Sequence, residues 1–209
     1  MGRPKGSRNE DYEQERAALS RKLLTRLIQP DGPVVSFREL ARACEVSPPT
    51  LRHYFKDRDG AIRAALEQAR IQGEQYLELV ATPGPEPLEE VLLGLVEQTL
   101  DAWQFFGVGD IFRFGLEIGL GDDKLGPAYV DELLEPLLQS YERRLAAHMK
   151  RGELRAIDPR YASLALLSPL VLGLIHQREL GGSGCRPLDL KHTAAVHVEA
   201  FLSTWRAPE

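Results

Sequence analysis

Apolar residues recur at helical spacing along nearly the whole chain, and no run alternates apolar and polar convincingly enough for a strand. Ala17, Leu24, Leu27 and Ile28 share one face of a helix expected over residues 11–28, which Pro30-Asp-Gly-Pro33 stops. Phe37, Leu40, Ala41 and Cys44 fall at i, i+3, i+4 and i+7, and Ser36 with Glu39 makes a capping box before them. Three residues later Ser47 caps a second short helix, Pro48 suits its first position, and Leu51 and Phe55 face inward. Asp57 caps a fourth helix running to about residue 80, with Ile62, Ala65, Leu66 and Ala69 on one stripe. The proline-rich residues 82–87 then mark a domain boundary.

The second half reads as helix throughout. Residues 88–106 are apolar nearly all round, as in a buried central helix. A glycine-rich break at 107–109 precedes a short aromatic helix, and residues 119–126 read as a loop. A long helix is expected over 127–150, kinked or divided at Pro136. Another starts at Asp158-Pro159 and stays apolar through Ile175 with Pro169 inside it. Residues 180–187 form a loop before the last helix, 188–205. Two late helices so apolar need more partners than one small domain supplies, and pairing with a second copy through them is the simplest solution. The fold expected is all-α: a helix-turn-helix domain with its arm and connecting helix over residues 1–80, and a helical domain over 86–209.

Two short capped helices, with polar and aromatic groups on the outer face of the second, form the layout of a DNA-reading helix-turn-helix. Residues 47–59, Ser-Pro-Pro-Thr-Leu-Arg-His-Tyr-Phe-Lys-Asp-Arg-Asp, resemble the recognition helix of the TetR (tetracycline-repressor-like) transcription regulators and the opening of the helix after it. The resemblance covers roughly residues 13–75; beyond that only the helical layout is similar. Glu45 stands where that family usually has glycine; either a non-glycine residue is held left-handed there, at a cost of about 1 kcal/mol, or the turn differs slightly from the family's. Pro48-Pro49 removes two backbone donors from the tip of the recognition helix. Base readout is therefore expected from Thr50, Arg52, His53 and Tyr54, and phosphate contacts from Ser36, Ser47, Lys56 and Arg58.

Net charge is −5, which suits a DNA binder only once the chain is divided. Residues 1–60 hold 12 Lys/Arg against 9 Asp/Glu, and the remainder 14 against 22, so the basic excess lies at the DNA-reading end. The opening Gly-Arg-Pro is similar to an AT-hook, and Arg3 and Lys5 are candidates for a minor-groove arm. Cys44 and Cys185 are far apart and form no metal-type pair. With no signal-like apolar start and no stretch long enough to span a membrane, a cytoplasmic protein without a membrane role is expected.

The resemblance implies a second domain that binds a small molecule and moves the DNA-reading heads. Its candidate walls are Trp103, Phe106, Phe112, Phe114, Glu117 and Tyr129, aromatic surface with a few polar handles. Each is also an ordinary core candidate, and Glu117 matters only if buried. Enzymes find little support. The five histidines lack metal spacing, and there is no phosphate loop or nucleophile turn, so neither cofactor nor metal is expected. The function expected is a homodimeric regulator on a palindromic operator in double-stranded DNA, acting as a repressor released by an unidentified small-molecule effector. The alternatives are an activator on the same fold, or a small-molecule-binding protein whose DNA head has lost its function.

Overall fold

The computed structural model describes residues 7–208. Among them the chain is helical with no strand; one isolated bridge joins Leu154 to Arg206. Two compact units are built from interleaved segments: residues up to 73 with Asp110–Leu133, and Glu74–Gly109 with the chain from Leu134 onward.

In the first unit α1 (Ser7–Leu27), α2 (Phe37–Ala43), α3 (Pro48–Phe55) and the start of α4 (Arg58–Ala81) enclose a core of buried Leu23, Leu27, Leu40, Leu51, Phe55 and Ile62. The caps form as the sequence requires. Ser36 accepts from the Glu39 amide while the Glu39 side chain takes the Ser36 amide, Ser47 accepts from the Thr50 amide, and Asp57 accepts from the Gly60 amide at 2.8 Å. Glu45 does sit left-handed, at φ 61°, and Lys22 reaches across to its carboxylate and to the Cys44 carbonyl.

The remaining segment of this unit holds α6 (Val108–Gly121) and α7 (Gly126–Tyr129). Three arginines fasten it to the end of α1 and to α4. Arg113 donates to the Ile28 carbonyl at 3.0 Å, capping the end of α1; Arg63 donates to the Lys124 carbonyl; Arg70 meets Glu132 at 2.8 Å. Residues 110–133 thus fall in one unit with α1 to α3 and the start of α4, whereas the sequence suggested one boundary at 82–87. Those prolines do end α4, but a chain break is not a packing break, and buried Phe114 and Ile118 of α6 belong to this unit.

The second unit contains the end of α4, α5 (Leu88–Phe105), α8 (Glu135–Lys150), α9 (Pro159–Leu174), α10 (Gly182–Cys185) and α11 (Leu190–Trp205). α9 packs against α8, and α11 against both α5 and α9. Thr99 donates its hydroxyl to the Leu95 carbonyl at 2.9 Å, and its oxygen meets the hydroxyls of buried Tyr141 at 2.8 Å and of Tyr76 at 3.2 Å. Buried Arg144 caps α4 by donating to the Leu79 and Val80 carbonyls at 2.8 and 2.7 Å.

Several boundaries differ from the sequence reading. The expected loop 119–126 is helical to Gly121. The expected helix 127–150 divides into α7, a π-helical turn Val130–Leu134 and α8. Pro136 stands near the start of α8, where its missing N–H and its ring would disrupt an α-helical bond to residue 132; the wider turn just before it accommodates that loss. α9 continues through Pro169 and then widens into a second π turn, Ile175–Glu179. The loop before α11 carries the short α10.

Candidate DNA-reading face and ligand cavities

Burial sorts α3 into two sides. Leu51 and Phe55 are 0% and 4% exposed, whereas Thr50, Arg52 and His53 are open to solvent and Tyr54 is half-buried. This is the division expected of a helix packed by its i, i+4 pair. The outer groups are held by neighbours. The Arg52 guanidinium lies over the Phe37 ring, 5.8 Å from its centroid. Tyr12 of α1 stacks on Tyr54 with centroids 4.9 Å apart, and His53 meets Tyr12 edge-on at 5.7 Å and Tyr54 at 5.2 Å. A platform from two other helices therefore holds the outer side chains of α3.

The phosphate candidates divide. Ser36 donates its hydroxyl to Glu39 at 2.6 Å, and these bonds hold the Glu39 carboxyl below its usual range. The Ser47 and Thr50 hydroxyls meet each other at 2.7 Å. Arg58, expected to hold a phosphate, donates Nε to the Val35 carbonyl at 2.8 Å and a second nitrogen to Pro33, so it secures the segment before α2. Its proximity in sequence to α3 suggested DNA, but the chain turns at Lys56, with φ 66°, and carries Arg58 inward. Exposed Lys56 makes no ion pair among the described residues, and neither do Arg38 and Arg42 on α2. Those two arginines escaped the sequence reading, as did Tyr12 and the role of Phe37; the i, i+4 spacing of Arg38 and Arg42 opposite the buried face of α2 was the available signal. Arg3 and Lys5 lie outside the described residues.

The six residues expected to wall one ligand site do not form a single set. Trp103 and Phe106 belong to the second unit, the other four to the first. Phe106 is 77% exposed just past the end of α5, whereas Trp103 is buried and donates its indole N–H to Glu179 at 2.9 Å. Phe114 is fully buried core. Glu117 is exposed and paired with Arg113 at 3.5 Å, so it is no buried acid awaiting a cation. Phe112 meets Tyr129 edge-on at 6.3 Å, and burial pushes the Tyr129 phenol up to about 12. The Tyr129 ring covers Gly115 so closely that a Cβ there would fall 2.3 Å from it. Aromatic content pointed to a site; close packing within α6 and α7 has used most of it.

The second unit has two concavities that none of these six residues lines. One, of about 300 Å³, lies between α5, the second π turn and the start of α11. The other, of about 470 Å³, runs between the end of α4, α5 and Arg144. No group of three or more metal-ligating side chains occurs among the described residues, and no helix there is long and apolar enough to cross a membrane.

The sequence matches no protein-family model and no curated protein. Solved structures do match. A protein of Mesorhizobium loti MAFF303099 assigned to the TetR-family transcriptional regulators superposes with a TM-score of 0.80 over 94% of this chain and 98% of its own, at 20% identity. FrrA, a flavonoid-responsive regulator, gives 0.68 over 93% and 98%, at 18% identity. SmeT, the repressor of the Stenotrophomonas maltophilia multidrug efflux pump SmeDEF, gives 0.61 over 91% and 90%, at 19% identity. The chain has the TetR-like all-helical fold.

Proposed function

We propose that the protein is a homodimeric, sequence-specific DNA-binding transcriptional regulator of the cytoplasm, a repressor that leaves a palindromic operator when a small molecule binds its C-terminal helices. The observation that carries this reading is the outer face of α3. Arg52 and His53 stand exposed on a helix whose inner face is buried, and Phe37 and Tyr12 hold them from behind. A major groove admits such a helix. Arg52 suits guanine O6 and N7, while Thr50, His53 and Tyr54 supply the remaining contacts. Lys56, Arg38 and Arg42 provide phosphate neutralisation, and the arm with Arg3 and Lys5 supplies a minor-groove contact.

Dimerisation is supported by the exposed apolar positions Leu164 and Leu172 on α9 and Val196 on α11, two helices that pack side by side. Two recognition helices about 34–36 Å apart then read half-sites one helical turn apart. Similar folds in a flavonoid-responsive regulator and in a pump repressor support ligand release and repression.

Selection from random duplex DNA with the full-length protein tests the reading: a palindromic consensus is expected. Pro48 and Pro49, which remove two donors from the tip of α3, favour a rival in which the head no longer reads DNA. Failure to enrich any sequence at low salt would replace the first reading with that one.

A further inference from the structure

The 300 Å³ cavity is at the small end of the roughly 300–1,000 Å³ range of small-molecule sites. Asp101 and Gln104 face it from α5, Gln177 and Arg178 from the π turn, and Asp189 and Lys191 from the start of α11. Its four ionised groups are two acids and two bases. A simple anion or cation would be attracted by one pair and repelled by the other, whereas a ligand carrying both signs satisfies both pairs. We propose that this cavity binds a small zwitterion of the free amino-acid type. Its role as the effector site rests on the regulator reading above.

The walls are built without the ligand. Gln177, 4% exposed, donates to the Arg186 carbonyl at 2.8 Å and accepts from the Leu188 amide at 3.0 Å, pinning the loop that closes one side. Gly182 lies so close to His176 that a Cβ would fall about 2.4–2.5 Å from its carbonyl and ring, so only glycine lets α10 close on the π turn. The Trp103–Glu179 hydrogen bond ties the same turn to α5. A π turn trades regular helix geometry for side-chain placement and is frequent at functional sites. Here it sends Gln177 into the structure and leaves Arg178 at the cavity.

Asp189 accepts from the His192 amide as the cap of α11, and the other three charged groups remain available. Lys191 and Asp101 stand 3.4 Å apart and are 64% and 40% exposed, a loose pair that a ligand's ammonium and carboxylate can replace. Arg178 donates one nitrogen to Gln104, and the rest of its planar fork suits a carboxylate. The ligand carboxylate binds Arg178 and Lys191, its ammonium binds Asp101, and its side chain meets Leu174 and Leu190. These contacts bridge α5 to the end of α9 and the start of α11, the two helices of the proposed dimer face. Binding therefore biases how those helices pack.

Calorimetric titration of the full-length protein with free L-amino acids in the millimolar range tests the site. At least one should give saturable heat, and its N-acetyl and carboxamide derivatives, each lacking one charge, should bind about tenfold or more weakly. Arg178→Gln and Asp101→Asn should each weaken binding by a similar factor with unliganded melting temperatures unchanged, since both side chains are partly exposed. Saturable heat from none of the free amino acids, or full binding by both variants, overturns the proposal. DNA selection on the same preparation separates the two readings. Operator binding without amino-acid binding removes the site and keeps the regulator; amino-acid binding without operator binding keeps the site and removes its effector role.

Discussion

Tyr12 of α1 stacks on Tyr54 of α3, their ring centroids 4.9 Å apart and their planes 24° from parallel. Because Tyr12 also meets His53 edge-on, one residue of the first helix holds two outer residues of α3. An aromatic pair contributes about 0.5–1.5 kcal/mol beyond the area it buries, so Tyr12→Ala should weaken operator binding by up to about tenfold. The preferred sequence should stay the same, and Tyr12→Phe should bind like the unaltered protein. Fluorescence anisotropy on the selected operator and its single-base variants measures both; an altered sequence preference in Tyr12→Ala would assign Tyr12 to base contact instead.

Arg58 bonds two carbonyls of the segment before α2, so its loss is felt in the fold. Arg58→Ala should lower unfolding stability by about 2 kcal/mol, the order expected when charge-assisted hydrogen bonds to the backbone are removed. The salt dependence of DNA binding should not change. Lys56→Ala should do the reverse, leaving stability intact and reducing the slope of log K against log salt by about 1. Denaturant melts and binding isotherms across a salt series distinguish the two.

Leu172 is 68% exposed on α9, on the same stripe as Leu164. Leu172→Glu should give a folded monomer, because the side chain leaves no core cavity yet sets a carboxylate into the proposed interface. Sedimentation velocity with circular dichroism reads both properties. A variant that remains dimeric would exclude this stripe from the interface.

Burial pushes the Cys44 thiol from its ordinary 9.0 up to about 11, while Cys185 is exposed. The fold favours the neutral thiol of Cys44. That contribution to stability is complete below pH 9 and is lost as pH rises from 9 toward 11. At pH 8 iodoacetamide should modify Cys185 and spare Cys44 until the protein unfolds. Mass spectrometry of the native and denatured protein would show one and two adducts; two adducts on the native protein would contradict the burial.

Local chemistry made much of the fold legible in the residues. Ser36 with Glu39, Ser47 and Asp57 cap the helices their positions announce, because a cap needs only a side-chain oxygen and the next few amides. The i, i+4 pair Leu51 and Phe55 fixes which side of α3 is buried, and so which side stays open to solvent. The left-handed Glu45 was suggested only by the resemblance, which places glycine at that turn position.

Tertiary structure decided the rest, since side chains far apart in sequence meet by no rule of spacing. Nothing at residue 12 announces that it supports residue 54. Arg58 was readable as a cation but not as one bound to Pro33 and Val35. The aromatic run from Trp103 to Tyr129 has the composition of a ligand site, yet it is divided between two units and largely consumed in packing. The cavity at Arg178 depends on a π turn that no periodicity of 3.6 reveals. The sequence by itself determined the helices, their caps and the face of α3 left open to solvent, because these are short-range matters of hydrogen bonding and amphipathic spacing. Only the folded chain determined which charges are spent inside the protein and which remain for a partner, because that depends on which helices lie alongside one another.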